Sequence, residues 1–376
     1  PLYLPVYKHS KWPLLALKMG LFLYDFLSLF KNSSHQIFNT TKTLAKLKGL
    51  TAKDLRGCGM YFDGVVDDAK LGLECIYDGL ESKKSQALNY KKVYKLEKQS
   101  NGHHKVYYKD TLNEQVSWAL TKTVSFATGP FTDRAMIELD IPWEPIILAS
   151  KGSHIWLKQS SLDIKDAMVL QTKDNRIIFV IPSRNSILVG TTEVPMTDNQ
   201  DFLNIKAEQS EIDYLIQCLN QYFPEANIGQ NDVLSSFAAI RPLIRAGSSS
   251  AKTSRKHKIY SPQENLYVLV GGKYTTFRKM AEDLNKKIFK RLGVKHNKKL
   301  TLLPFRRKSD IATPFDQILT SREINEKSIA QIIENELVKT QDDLIQRRLS
   351  LPSLDHINDP DLREKIKTYM TDLPET

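Results

Sequence analysis

The sequence predicts a mixed α/β (α+β) fold, in which part of a Rossmann-like parallel sheet is interleaved with an antiparallel sheet and followed by an all-α region. Three observations predict it. Strand–glycine–helix junctions occur twice, around Gly129 and around Gly271-Gly272. Between them, the apolar runs Arg176–Ile181 and Ile187–Thr192 flank Pro182–Ser186 and read as an antiparallel hairpin. Past Leu300 the strand-like runs give way to charged helix formers.

Composition bounds the function classes. A chain of 376 residues has room for two or three domains. Hydrophobic content of 41% with 26% charged residues is that of a folded soluble protein. The net charge of +11 suits anionic partners such as phosphorylated metabolites, acidic lipid or nucleic acid, although a lysine-rich proteome gives the same surplus. Cys58, Cys75 and Cys218 are widely spaced, with no CxxC and no histidine cluster. They support neither a disulfide framework nor a metal site, so a reducing compartment is expected.

Taken in order, the chain opens without an initiator Met or a signal peptide, and Pro1–Val6 reads as the middle of a domain. Trp12–Phe30 is apolar apart from Lys18 and Asp25, which fall on one helical stripe with Lys11. It predicts a helix, either buried or lying in a membrane interface, and is too short and charged for a confident span. Gly57–Gly64 reads as a glycine-rich loop, Val65–Leu80 as a helix opened by Asp67-Asp68. Tyr90–Leu96 and Lys105–Tyr108 read as strands.

Thr121–Phe126 reads as a strand entering Ala127-Thr128-Gly129-Pro130, with a helix near Asp133. Lys151–Lys158 alternates as a strand, Lys206–Phe223 is helical, and Val233–Ile240 is a strand closing on Arg241-Pro242. Arg245–Lys258 is a basic loop, either simply solvated or a phosphate clamp, because guanidinium forks match phosphate oxygens. No aromatics interleave with its charges before Tyr260, which argues against nucleic-acid binding by stacking.

The second junction is the most informative. Leu266–Val270 reads as a buried strand, and Gly271-Gly272 let the chain turn sharply with bare backbone. Thr275 or Thr276 caps a helix whose apolar face is Phe277, Ala281, Leu284, Ile288 and Leu292, with Gly293 as its stop. Such a corner aims free N–H groups at one spot, and Lys273 adds a charge there. Two junctions of this kind could share one parallel sheet whose carboxyl edge holds a large ligand. Further on, Ser321–Arg348 and Asp361–Thr371 read as helices.

The strings YFDGVVDDAKL (Tyr61–Leu71), ATGPFTDR (Ala127–Arg134), KGSHIWL (Lys151–Leu157), RIIFVIPSRNSILVGTTE (Arg176–Glu193), SFAAIRPL (Ser236–Leu243) and VGGKYTTFRKMAE (Val270–Glu282) occur in that order. Together they resemble the FAD-dependent glycerol-3-phosphate dehydrogenase family, over nearly the whole chain. That family opens with a strand–GxGxxG–helix unit and an His-Gly-Gly-x-Arg segment. No GxGxxG occurs in these 376 residues, so an N-terminally truncated sequence is expected.

The resemblance implies the following roles. Val93 would touch the adenine of FAD, Gly129 would approach the cofactor, and Gly271, Gly272, Thr275 and Thr276 would sit toward its flavin end. Arg241, Arg255 and Lys273 match basic residues of the glycerol-3-phosphate site, with Lys256 or Lys258 able to stand in for Arg255. Arg241 and Lys273 are the catalytic candidates; the base is either Lys273 or a histidine of the absent segment. His154 is expected to be structural. Electrons would pass to quinone in a dehydrogenase, or to O2 in an oxidase of the same fold. A sister enzyme acting on another anionic substrate, or a non-catalytic basic fragment, would also carry these residues. Expected domains are 1–305, an FAD-dependent oxidoreductase domain with its substrate sheet at about 140–240, and 306–376, helical. Expected partners are a phosphorylated alcohol, a quinone and a membrane surface, with a homodimer allowed and no nucleic acid. The expected location is cytoplasmic, peripheral on the inner face of the cell membrane.

Overall fold

The computed structural model describes residues 1–183, 186–197, 200–245, 253–254, 256–295, 297–305, 326–349, 368 and 371. The N-terminal part runs β1 (Leu2–Tyr7), α1 (Leu14–Leu27), β2 (Gln36–Phe38), α2 (Thr40–Lys46), β3 (Leu55–Tyr61) and α3 (Asp68–Leu80). Then come β4 (Lys91–Lys98), β5 (His104–Asp110), β6 (Val116–Thr121), β7 (Val124–Phe126) and α4 (Thr132–Glu138). The central part holds β8 (Ile147–Lys158), β9 (Ala167–Gln171), β10 (Ile177–Ser183), β11 (Ser186–Gly190), β12 (Val194–Pro195) and α5 (Gln209–Tyr222). Finally come β13 (Val233–Arg245), β14 (Thr253–Ser254), β15 (Lys258–Tyr260), β16 (Leu266–Val270), α6 (Phe277–Leu292) and α7 (Glu326–Asn335).

Three sheets result. The largest runs β14-β13-β8-β11-β10-β9-β1-β3-β2, with β12 on β8. It is antiparallel except where β1 meets β9, and β1, β2 and β3 join the substrate sheet expected at about 140–240. One face is covered by α5, whose Leu215 and Leu219 pack against Ile155, Leu157, Met168 and Ile187, all fully buried. Each such side chain contributes roughly 1.5–3 kcal/mol, so this interior anchors the molecule. A second sheet, β15-β16-β7, carries the parallel pair, and β4-β5-β6 form a third.

Several local predictions are corrected. Gly57–Gly64 is not a loop: most of it lies in β3, where glycine is needed because a Cβ on Gly59 would lie 2.7 Å from Leu17 of α1. Thr121–Phe126 is not one strand: β6 ends at Thr121 and β7 starts at Val124, with the Thr121 hydroxyl donating to the Thr123 carbonyl at the break. β13 does not stop at Arg241 but runs through Pro242 to Arg245. The helix predicted over Ser321–Arg348 breaks after α7, with Leu337 at φ 53° and helix resuming at Asp343–Arg348. Asp361–Thr371 lies almost wholly outside the described residues.

Helix α1 is buried on one face only. Leu14, Leu17 and Leu21 face β3, and Asp25 is buried against His35, whose N–H and Nδ1 both lie within 3.0 Å of Oδ2. These contacts hold the Asp25 carboxyl below its usual range, the side-chain bond to His35 first. The opposite face, from Trp12 to Phe30, leaves nine large apolar side chains more than half exposed. Among the described residues no helix is long and apolar enough to cross a membrane.

Candidate functional site

Strands β7 and β16 pair in parallel, Val124 opposite Leu266 and Phe126 opposite Val268. Their carboxyl ends therefore deliver the two glycine junctions to one edge. Gly129 opens a single 3-10 turn at φ 56°, with open space where a Cβ would stand. Gly271 and Gly272 have φ 72° and 92°, a region that side-chain-bearing residues rarely enter. Packing demands glycine there too: a Cβ on Gly271 would run into Ile244 of β13, and one on Gly272 into Met280 of α6. The Thr276 hydroxyl accepts from the Lys273 N–H at 3.2 Å and donates to its carbonyl, so Tyr274–Thr276 form a 3-10 turn. Thus α6 begins at Phe277, with Thr276 at its N-cap but its hydroxyl turned back, and Thr275 inside the preceding turn.

A cavity of about 530 Å³ lies beside this edge, lined by Val93, Val106, Phe126, Ala127 and Thr128, with Lys91, Lys92 and Arg134 among its charged residues. Val93 thus shares this space with Ala127 and Thr128, the two residues before Gly129.

The second part of the site is on β13 and β8. Strand alternation puts Phe237 and Arg241 on one face, opposite His154 and Ser150 of β8. From there the Arg241 guanidinium crosses Gly152: a Cβ at that position would be 2.6 Å from Nη2. It reaches Thr191, where Nη2 donates to the hydroxyl at 2.9 Å, and Nη1 donates to the Thr192 carbonyl at 3.4 Å. His154 stacks on Phe237, ring centroids 4.9 Å apart and planes at 7°. Burial, and then the Arg241 charge, push its pKa down to about 4. The ring is therefore neutral near pH 7, and its Nδ1 is buried without a hydrogen-bond partner among the described groups.

Behind the same strand, Lys151 and Ser153 point to the other face and meet Glu211 of α5. Lys151 Nζ lies 2.7 Å from Oε2, and the Ser153 and Thr192 hydroxyls donate to Oε1 at 2.8 and 2.7 Å. These contacts keep Glu211 ionised below its usual range even though burial pushes the other way.

Of the predicted residues, the structure gathers Gly129, Gly271, Gly272 and Val93 around the parallel pair. Arg241 lies three residues before Ile244, the residue that touches Gly271, and on the opposite face of β13. Lys273 is exposed at the corner. Arg255 lies outside the described residues; of the loop around it, His257 reaches Asp283 of α6 at 3.0 Å.

Residues 8–277 match the FAD dependent oxidoreductase (DAO) family. The chain belongs to that family. It is 31% identical over 283 residues to the aerobic glycerol-3-phosphate dehydrogenase of Bacillus subtilis, covering 75% of this chain and 50% of the relative. To the enzyme of the same name from Staphylococcus aureus it is 32% identical over 300 residues, 77% and 52% of the two. The chain thus spans about half the length of the curated relatives it matches. Its fold also matches the glycerol-3-phosphate dehydrogenase of Bacillus halodurans solved with FAD. There the TM-score is 0.75 at 22% identity, over 98% of this chain and 75% of that one.

The residues present fit one end of the family's cofactor. The cavity is of ligand-binding size, and the bare backbone at Gly129 leaves open space where a side chain would stand. What the sequence did not single out is Gly152, Thr191, Thr192 and Glu211. A period-two reading of KGSH already separates Gly152 and His154 from Lys151 and Ser153. Which face met Arg241, however, depended on a partner strand far along the chain, with Ala239 opposite Gly152 and Phe237 opposite His154.

Proposed function

We propose that this chain supplies the substrate-handling part, and some of the cofactor-handling part, of an enzyme oxidising sn-glycerol 3-phosphate to dihydroxyacetone phosphate with FAD. The observation that carries the proposal is Arg241, held flat across Gly152 by Thr191 and Thr192 beside a neutral histidine. FAD, when bound, supplies the hydride acceptor. Val93, Gly129, Gly271, Gly272 and the Thr275–Thr276 turn are the residues proposed to hold it.

Arginine stays charged at any working pH, so Arg241 offers a permanent cationic fork to a phosphate or to an alcohol oxygen gaining negative charge. Thr191 and Thr192 hold it with a hydroxyl and a carbonyl, neither of which carries a charge. His154, held neutral, adds no competing charge. Lys273 on the exposed side of the corner, and Arg255, complete the proposed phosphate grip. Lys273 is the candidate base carried by this chain.

The proposed acceptor is a quinone. The relatives carry dehydrogenase names, and the exposed apolar face of α1 suits attachment to the inner face of the cell membrane, where a lipid-soluble acceptor resides. The test is spectroscopic. With FAD supplied under anaerobic conditions, sn-glycerol 3-phosphate should bleach the oxidised-flavin band while glycerol does not. A different metabolite bleaching the flavin where glycerol 3-phosphate fails would replace the substrate.

A further inference from the structure

We propose that Glu211 is a positioning residue for Arg241, acting through the Thr191-Thr192 dipeptide from the far side of the sheet. The inference rests on Arg241 being the functional cation of the proposed reaction. Three strands make the connection. Arg241 starts on β13, crosses β8 at Gly152 and ends on the segment that continues β11. That segment is fixed by the Thr192 N–H donating to the Ser153 carbonyl at 3.2 Å, by the Ser153 N–H donating to the Thr192 hydroxyl at 2.9 Å, and by that hydroxyl donating to Glu211.

Glu211 is placed to be the fixed point. It is buried, and Oε2 also accepts from the Glu208 N–H at 3.1 Å, locking the carboxylate to the first turn of α5. A carboxylate with this many donors has little freedom to rotate. Thr192 is the joint: its hydroxyl faces the carboxylate while its carbonyl faces the guanidinium. Turning the Thr192 peptide would move the carbonyl that accepts from Arg241 and, with it, the neighbouring Thr191 hydroxyl. Glu211 touches neither substrate nor cofactor; its effect on chemistry is through the orientation of Arg241.

The test uses His154 as a reporter, since the Arg241 charge beside it opposes its protonation. Its titration is followed by NMR in the full chain, without need of flavin or turnover. Arg241→Met sets the full response, an upward shift of about one pH unit. Glu211→Gln and Thr192→Val should each give part of that rise. Adding Glu211→Gln to Arg241→Met should give no further rise, because the residue through which Glu211 acts is gone. In the FAD-loaded enzyme the same two variants should lower kcat more than they raise KM, with Glu211→Asp recovering part of the loss.

An unshifted His154 in both variants overturns the proposal, and so does an equal shift with and without Arg241, which would mark a merely structural role. Should Glu211→Gln fail to fold, Thr192→Val alone decides, since it removes one hydroxyl and keeps the volume. If His154 responds as expected while glycerol 3-phosphate neither binds nor reacts, Glu211 still positions Arg241 and it is the substrate assignment that falls.

Discussion

The glycine corner at 271–272 and the arginine face of β13 touch the same strand, yet each is specified by different physics. At the corner the information is in the backbone: two left-handed residues whose missing Cβ atoms leave room for Ile244 and Met280. At Arg241 it is in side chains, a guanidinium laid over Gly152 and held by the Thr191 hydroxyl and the carbonyl of Thr192, whose own hydroxyl is tied to a buried carboxylate. The corner cannot change without disturbing the packing of two sheets. The arginine face can lose its functional group and keep its fold. Stability and function should therefore separate between them.

The largest expected effect is on chemistry. Arg241→Ala in the FAD-loaded enzyme should lower kcat/KM by about 10²–10³-fold, or some 3–4 kcal/mol of transition-state stabilisation, with kcat and KM both affected. Its melting temperature should change little. A large loss of Tm with normal kinetics would reverse the comparison. Lys273→Met should abolish turnover while FAD stays bound; loss of FAD instead would move Lys273 to the cofactor.

Gly271→Ala should show the opposite signature. It combines a strained φ with a clash against a fully buried Ile244, together about 2–4 kcal/mol of unfolding free energy. Denaturant melts measure it, and a loss under about 0.5 kcal/mol would mean the corner relaxes freely.

The histidine sharpens the comparison through pH. In the unfolded chain His154 titrates near 6.5 and in the folded protein near 4. The unfolded state binds more protons between those values, so stability falls as pH drops through that window. The loss amounts to at most about 3 kcal/mol. His154→Phe, which keeps the stack on Phe237, should flatten the profile between pH 6.5 and 4; an unchanged slope assigns the acid sensitivity elsewhere.

The smallest effect on stability, within about 0.5 kcal/mol, is expected for Phe22→Ser with Phe26→Ser on α1, because both side chains are exposed. The double variant should nevertheless lose co-sedimentation with phosphatidylglycerol vesicles. Equal sedimentation of variant and wild type would remove α1 from any lipid contact.

Much of this was legible in the sequence for reasons that are local. Leu266–Val270 is found as predicted because an uninterrupted β-branched run followed by Gly-Gly has few other solutions. Gly293 stops α6 at φ 68° because the helix end needs a left-handed residue. Asp67 caps α3 by accepting from the Lys70 N–H. What failed depended on distant partners. The glycines of β3 look like a loop until α1 is laid over them. The stacking of His154 on Phe237 beside Arg241 cannot be read until β13 is paired with β8. Glu211 is an ordinary first-turn acid in the sequence, and only the packing of α5 against β8 joins it to Lys151 and Thr192.

The most direct measurement is a calorimetric titration of the chain with sn-glycerol 3-phosphate, compared with glycerol and repeated on Arg241→Met. If the arginine face handles a phosphorylated alcohol, the phosphate ester binds, glycerol does not, and the variant loses most of the affinity without loss of fold. Equal binding of the ester by wild type and Arg241→Met would contradict that assignment.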